Sequence, residues 1–119
     1  VAQHKKLEQE IQTKVTDAAK DLKLVPIRLN VTGRKGWPDY GYLYAGRIAF
    51  IEFKRPGEKP EPLQLYVHEL LNVAGFAVFV VDNEDYGITL LMGWKHGIDR
   101  ELERLRQSNG GNARPGPHV

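Results

Sequence analysis

Apolar residues recur at helical spacing through the first part of the chain, at Leu7, Ile11, Val15, Ala18, Ala19 and Leu22. Charged and amide side chains fill the positions between them, so a helix is predicted over 5–22. The pattern then changes. Residues 25–31 (VPIRLNV) are a short β-type run in which Pro26, with no N–H to give, favours a sheet edge or a strand start. Residues 32–38 (TGRKGWP) are punctuated by two glycines and a proline and read as loop. Two more β-type runs, 39–44 and 47–54, are separated only by Ala45-Gly46, a two-residue hairpin signal. Residues 55–61 (RPGEKPE) form a polar loop. Pro62 stands where a first helical position tolerates it, and the helix predicted from there runs to Ala74, with Gly75 at its end. Residues 76–81 (FAVFVV) suit a buried strand. Between 82 and 93 the pattern is ambiguous, since Ile88 to Met92 fit an edge strand or part of a helix. A polar, peripheral helix is predicted over 95–107, and the glycine- and proline-rich end, 108–119, as a disordered tail. A helix joining residue 54 to residue 76 implies a β-α-β crossover. The fold class is therefore α/β, a mixed central sheet flanked by helices, in the order α-β-β-β-α-β.

With 119 residues, 41% hydrophobic and 27% charged, the chain suits one domain (1–107) with a single modest core. It has no cysteine, which removes disulfides, thiolate nucleophiles and cysteine-ligated zinc. No long apolar run suits a membrane and the N-terminus is polar, so a cytoplasmic, intracellular protein is expected, in host cytoplasm if viral. A net charge of +2 does not by itself call for nucleic acid. Its distribution says more, because Arg28, Arg34, Lys35, Arg47, Lys54, Arg55 and Lys59 fall in one stretch.

The hairpin concentrates the chemistry. With Tyr44 paired to Arg47, Leu43 faces Ile48, Gly41 faces Phe50 and Asp39 faces Glu52. Opposed residues share a sheet face with Cβ atoms about 4.5–5.5 Å apart. Lys54, two residues on, projects from that face too. The run 47–54 is apolar on both faces and so interior, where two opposed acids cost repulsion and desolvation unless a cation or proton compensates. A divalent metal is the natural compensator. The plainer alternative is a buried Glu–Lys pair with Asp39 capping a loop. His4, His68, His96 and His118 are scattered without ligand spacing, so no histidine metal site is expected. Tyr40, Tyr42 and Tyr44 lie on the strand face opposite Asp39 and are expected to pack on a helix or a partner subunit.

Pro38-Asp39 followed thirteen residues later by Glu52-Phe53-Lys54 resembles the motif of the PD-(D/E)xK nucleases. The flanks sharpen this. Gly33-Arg34-Lys35-Gly36-Trp37-Pro38-Asp39, Phe50-Ile51-Glu52-Phe53-Lys54-Arg55-Pro56-Gly57, Pro62-Leu63-Gln64 and Ala74-Gly75-Phe76 look like the virus-type replication-repair nuclease (VRR-NUC) domain. The resemblance spans about residues 8–92. It implies a restriction-endonuclease-like core and metal-dependent hydrolysis of DNA phosphodiester bonds, with Asp39, Glu52 and the Phe53 carbonyl around Mg²⁺ or Mn²⁺. It also implies a first-helix glutamate, for which Glu8 and Glu10 are the candidates. Glu8 is preferred because it lies on the stripe of Ile11 and Val15. Gln64 matches the family's glutamine near the active site. Arg34, Lys35, Arg55 and Lys59 are expected on DNA phosphates, while Trp37 either stacks on a base or pins its loop, packing being favoured. Small stand-alone members resemble homodimeric enzymes that resolve four-way (Holliday) junctions. A flap-type or general endonuclease, or a non-catalytic DNA-binding module, are the alternatives.

Overall fold

The strand that is apolar on both faces is the one covered on both sides. The computed structural model describes residues 2–29 and 35–108, with side chains from residue 7 onward. Its elements are α1 (Ala2–Asp21), β1 (Val25–Arg28), β2 (Tyr40–Tyr44), β3 (Arg47–Phe53), α2 (Pro62–Val73), β4 (Ala77–Val81) and α3 (Glu84–Ser108). The strands lie in the order β1-β2-β3-β4. The first two pairs are antiparallel and β3–β4 is parallel, so the sheet is mixed and α2 is the crossover helix. β1, which carries Pro26, lies at one edge.

Tyr44 stands opposite Arg47, Leu43 opposite Ile48 and Gly41 opposite Phe50, the register expected for a two-residue turn. Ala45 and Gly46 both have left-handed backbone, φ 52° and 79°. Such a turn matches the right-handed twist of the strands it joins. The ladder ends at Tyr40–Ile51, one pair short of Asp39–Glu52.

Alternation along β3 divides the core. Ala49, Ile51 and Phe53 face the side of α1 and α3, buried with Ile11, Val15, Ala19, Tyr42, Val81 and Leu91. Phe50, on the other face, packs on Val67 and Leu71 of α2, with Trp37 against it. Trp37 thus pins its loop to the core. Two of the three tyrosines of β2 bond to helices, while Tyr40 stacks on Tyr42 and meets Phe53 edge-on. Tyr42 shares a 2.9 Å hydrogen bond with Thr16 of α1, and the Tyr44 hydroxyl donates to Asp99 of α3.

The C-terminal helix differs from expectation. It begins at Glu84 rather than 95, takes in the ambiguous 88–92 segment as helix, and runs 25 residues. Its start is well signalled, since Asn83 Oδ1 accepts the Tyr86 N–H at 2.9 Å and Glu84 and Asp85 occupy the first turn. Nor is it peripheral, for Leu91 is fully buried and Ile98 nearly so. Of the expected tail, 108–119, Ser108 is the last residue of α3, while 109–119 and Arg34 lie outside the described residues. Among the described residues no helix is long and apolar enough to cross a membrane.

Candidate active site

The C-terminal end of β3 carries Glu52 and, just beyond it, Lys54, both on the face toward α2 and both buried. Asp39 arrives from the loop before β2, behind the fully buried Pro38. Its backbone carbonyl accepts the Leu29 N–H at 2.8 Å and its Oδ2 accepts the Phe53 N–H at 2.8 Å. The Asp39 carboxylate therefore supplies the next rung where backbone pairing with β3 has ended.

Burial, reinforced by the charge of Asp39, pushes the Glu52 carboxyl up to about 8. Asp39 is also raised, chiefly by burial, against the lowering effect of the Phe53 N–H and of Lys54. The negative charge of Asp39 thus disfavours ionisation of Glu52, a cost that a bound cation would offset. Glu8, near the start of α1, feels the same charges. Its pKa is raised by burial first and by Asp39 second, while Lys54 and Arg55 pull it down. Glu10 sits apart on an exposed surface with Gln9, Thr13 and Lys14.

From α2, Gln64 donates through Nε2 to Glu52 Oε2 at 3.0 Å, while its Oε1 accepts the Glu61 N–H at 2.8 Å. The amide thus closes the first turn of the helix and holds the glutamate at once. One turn further on, His68 is only 6% exposed, and its Nε2 lies 3.5 Å from Glu52 Oε1. Neither atom has a hydrogen-bond partner. Burial, then the charge of Lys54, lowers the imidazole's pKa. A search for metal-ligand spacing among the histidines misses this residue. The signal that finds it is its place four residues after Gln64, on the helix face that Val67 and Leu71 bury.

Lys35 and Lys59 are exposed, and Arg55 lies 3.7 Å from Glu58. Arg28 of β1, noted in the sequence only as part of a basic stretch, is close enough to Asp39 to lower its pKa.

Among the described residues no three acid or histidine side chains form a ready-made metal cage. The donors nevertheless fit a hard divalent ion. Mg²⁺ commonly takes one or two carboxylates and leaves its other positions to water and phosphate. Here a buried carboxyl and a half-buried one disfavour charge in the absence of a cation, and one buried Glu52 oxygen has no partner.

No family model matches the chain. "Putative nuclease p44" of Acyrthosiphon pisum secondary endosymbiont phage 1 is 48% identical over 54 residues. That match takes in 44% of this chain and 58% of that protein, so the chain spans little more than half of this curated relative. A solved "VRR_NUC domain" overlays the chain with a TM-score of 0.65 at 32% identity, covering 72% of this chain and 95% of that one. With 95% of that domain covered at 32% identity and in the same fold, the chain belongs to the VRR-NUC domain family.

Proposed function

We propose that this protein is a Mg²⁺- or Mn²⁺-dependent DNA endonuclease, with Asp39, Glu52 and Lys54 at its centre. The observation that carries this reading is the buried Glu52 at the end of β3, set between the half-buried Asp39, whose Oδ2 accepts the neighbouring Phe53 N–H, and the buried Lys54. Asp39 and Glu52 hold the ion, with the Phe53 carbonyl and Glu8 as further oxygen donors. When bound, the ion offsets the negative charge of the carboxylates and the scissile phosphate and makes a water nucleophilic at neutral pH. Lys54 places fixed positive charge against the phosphate as charge builds in the transition state. Gln64 keeps Glu52 in place by donating to its Oε2. Arg34, Lys35, Arg55 and Lys59 contact the DNA backbone, which orients the duplex without reading its sequence.

The favoured substrate is a four-way junction, cut by a homodimer whose two sites act on paired strands. The support for a second copy is the outer face of α2. Leu63, Tyr66, Leu70 and Val73 follow at helical spacing there and are all exposed. Cleavage of a synthetic four-way junction and of linear duplex, each with Mg²⁺ or Mn²⁺, tests both levels. Lys54→Ala is expected to abolish cutting while leaving DNA binding nearly unchanged. Retained cutting sinks the site. Equal cutting of junction and duplex removes the junction preference and leaves a general endonuclease, whereas binding without cutting by the natural sequence favours a non-catalytic DNA-binding module.

A further inference from the structure

The two polar atoms at the centre of the site that lack partners face each other. Glu52 Oε1 and His68 Nε2 are both buried, both unpaired, and 3.5 Å apart. Buried polar groups in folded proteins are nearly always paired. No water fits between these two, because a bridging oxygen needs about 2.7–3.2 Å on each side. A small rotation of either side chain brings them into direct hydrogen-bond range. The other Glu52 oxygen is already held by Gln64 at 3.0 Å. Residues 64 and 68 lie one helical turn apart on α2, so a single rigid element faces both oxygens of the carboxylate.

We propose that His68 is a positioning residue for Glu52, donating its Nε2–H to Oε1 so that α2 clamps the carboxylate by both oxygens. The inference rests on the reading of Glu52 as a metal ligand. The imidazole acts as an N–H donor to the carboxylate oxygen that Gln64 leaves without a partner. It touches neither substrate nor reacting atoms. Its effect passes through Glu52, whose two oxygens it and Gln64 would hold in place for the ion that Glu52 would ligate. Partners of this kind commonly change metal affinity by about 10- to 100-fold when removed.

The test is Mn²⁺ binding to the full chain, followed by the paramagnetic resonance signal of the free ion, for the natural sequence, His68→Leu and His68→Gln. Leucine fills the space without a donor, and glutamine reaches a similar position with one. The expected result is that His68→Leu weakens Mn²⁺ binding by about 10- to 100-fold while His68→Gln stays near the original affinity. Equal binding by His68→Leu, or an equal loss in both variants, overturns the clamp and leaves the metal site standing. No Mn²⁺ binding by the natural sequence overturns the metal reading and the clamp with it. Nitrogen NMR of histidine-labelled protein with Mg²⁺ needs no variant to fold. A neutral ring protonated on Nε2 is expected for His68, and protonation on Nδ1 alone overturns the proposal.

Discussion

Glu52 lies in a fully folded setting that disfavours its own charge, and that has a measurable consequence for the metal-free protein. Its carboxyl titrates near 8 in the folded chain against an ordinary value of 4.5. The folded state therefore binds the proton more tightly than the unfolded state. The associated stability is fully present below the ordinary value and is lost as pH rises through about 8. Asp39 and Glu8, both raised, contribute with the same sign, while His68, which is lowered, acts in the opposite sense. The difference between the natural sequence and Glu52→Gln isolates the effect. Denaturant midpoints without metal should show Glu52→Gln gaining stability relative to the natural sequence as pH climbs through this window, and saturating Mg²⁺ should shrink the gap. A gap that stays constant with pH would mean the carboxyl is not held protonated. At this scale the sequence was informative in part. The hairpin register that carries residues 39 and 52 to the same end of the sheet follows from strand periodicity, and the preference for Glu8 over Glu10 rests on helix periodicity. The bond from the Phe53 N–H to Asp39 does not, because it depends on where the ladder stops.

At the level of elements, α3 is where pattern and structure part. It carries Gly87, Gly93 and Gly97, and each glycine lowers intrinsic helix preference. Two of the three are placed quite differently from the first. A Cβ added at Gly87 would lie 2.8 Å from Val81 Cγ1 and 2.9 Å from Val15 Cγ2, whereas none at Gly93 or Gly97 meets anything within 4 Å. The absent side chain at Gly87 is what lets α3 lie close against α1 and β4. Gly87→Ala is expected to destabilise by about 1–3 kcal/mol through overpacking. Gly97→Ala should stabilise by up to about 1 kcal/mol, because alanine costs less than glycine to fix in a helix. Urea unfolding of both variants checks the pair of signs, and a stabilised Gly87→Ala would mean that α3 does not press on the sheet as described. The cap at Asn83 and the acids after it were present in the sequence all along. The apolar run at 88–92 leaves the segment ambiguous, because its periodicity alone fits helix or strand.

For the whole molecule, the two faces of the sheet have different roles. One is sealed by α1 and α3, and the other is covered by α2, whose inner side holds the acidic cluster and whose outer side remains apolar. Val73, 77% exposed, is the clearest case. An apolar stripe of this kind on a helix is costly in water unless a partner covers it. If a second copy does so, Leu70→Glu should shift the protein from dimer to monomer in light scattering while leaving its far-ultraviolet dichroism unchanged. A natural sequence that is monomeric at every concentration would remove the dimer.

The sequence by itself determined the α/β order, the hairpin register, the inward strand at 47–53 and the family. All of these rest on periodicity, turn chemistry and motif spacing, which are local. Tertiary structure alone decided the length and burial of α3 and brought Arg28 toward Asp39. It also drew Gln64 and His68 onto the two oxygens of Glu52. Those outcomes depend on how α2 and α3 settle on opposite faces of the sheet, and packing between distant segments leaves no fixed spacing along the chain.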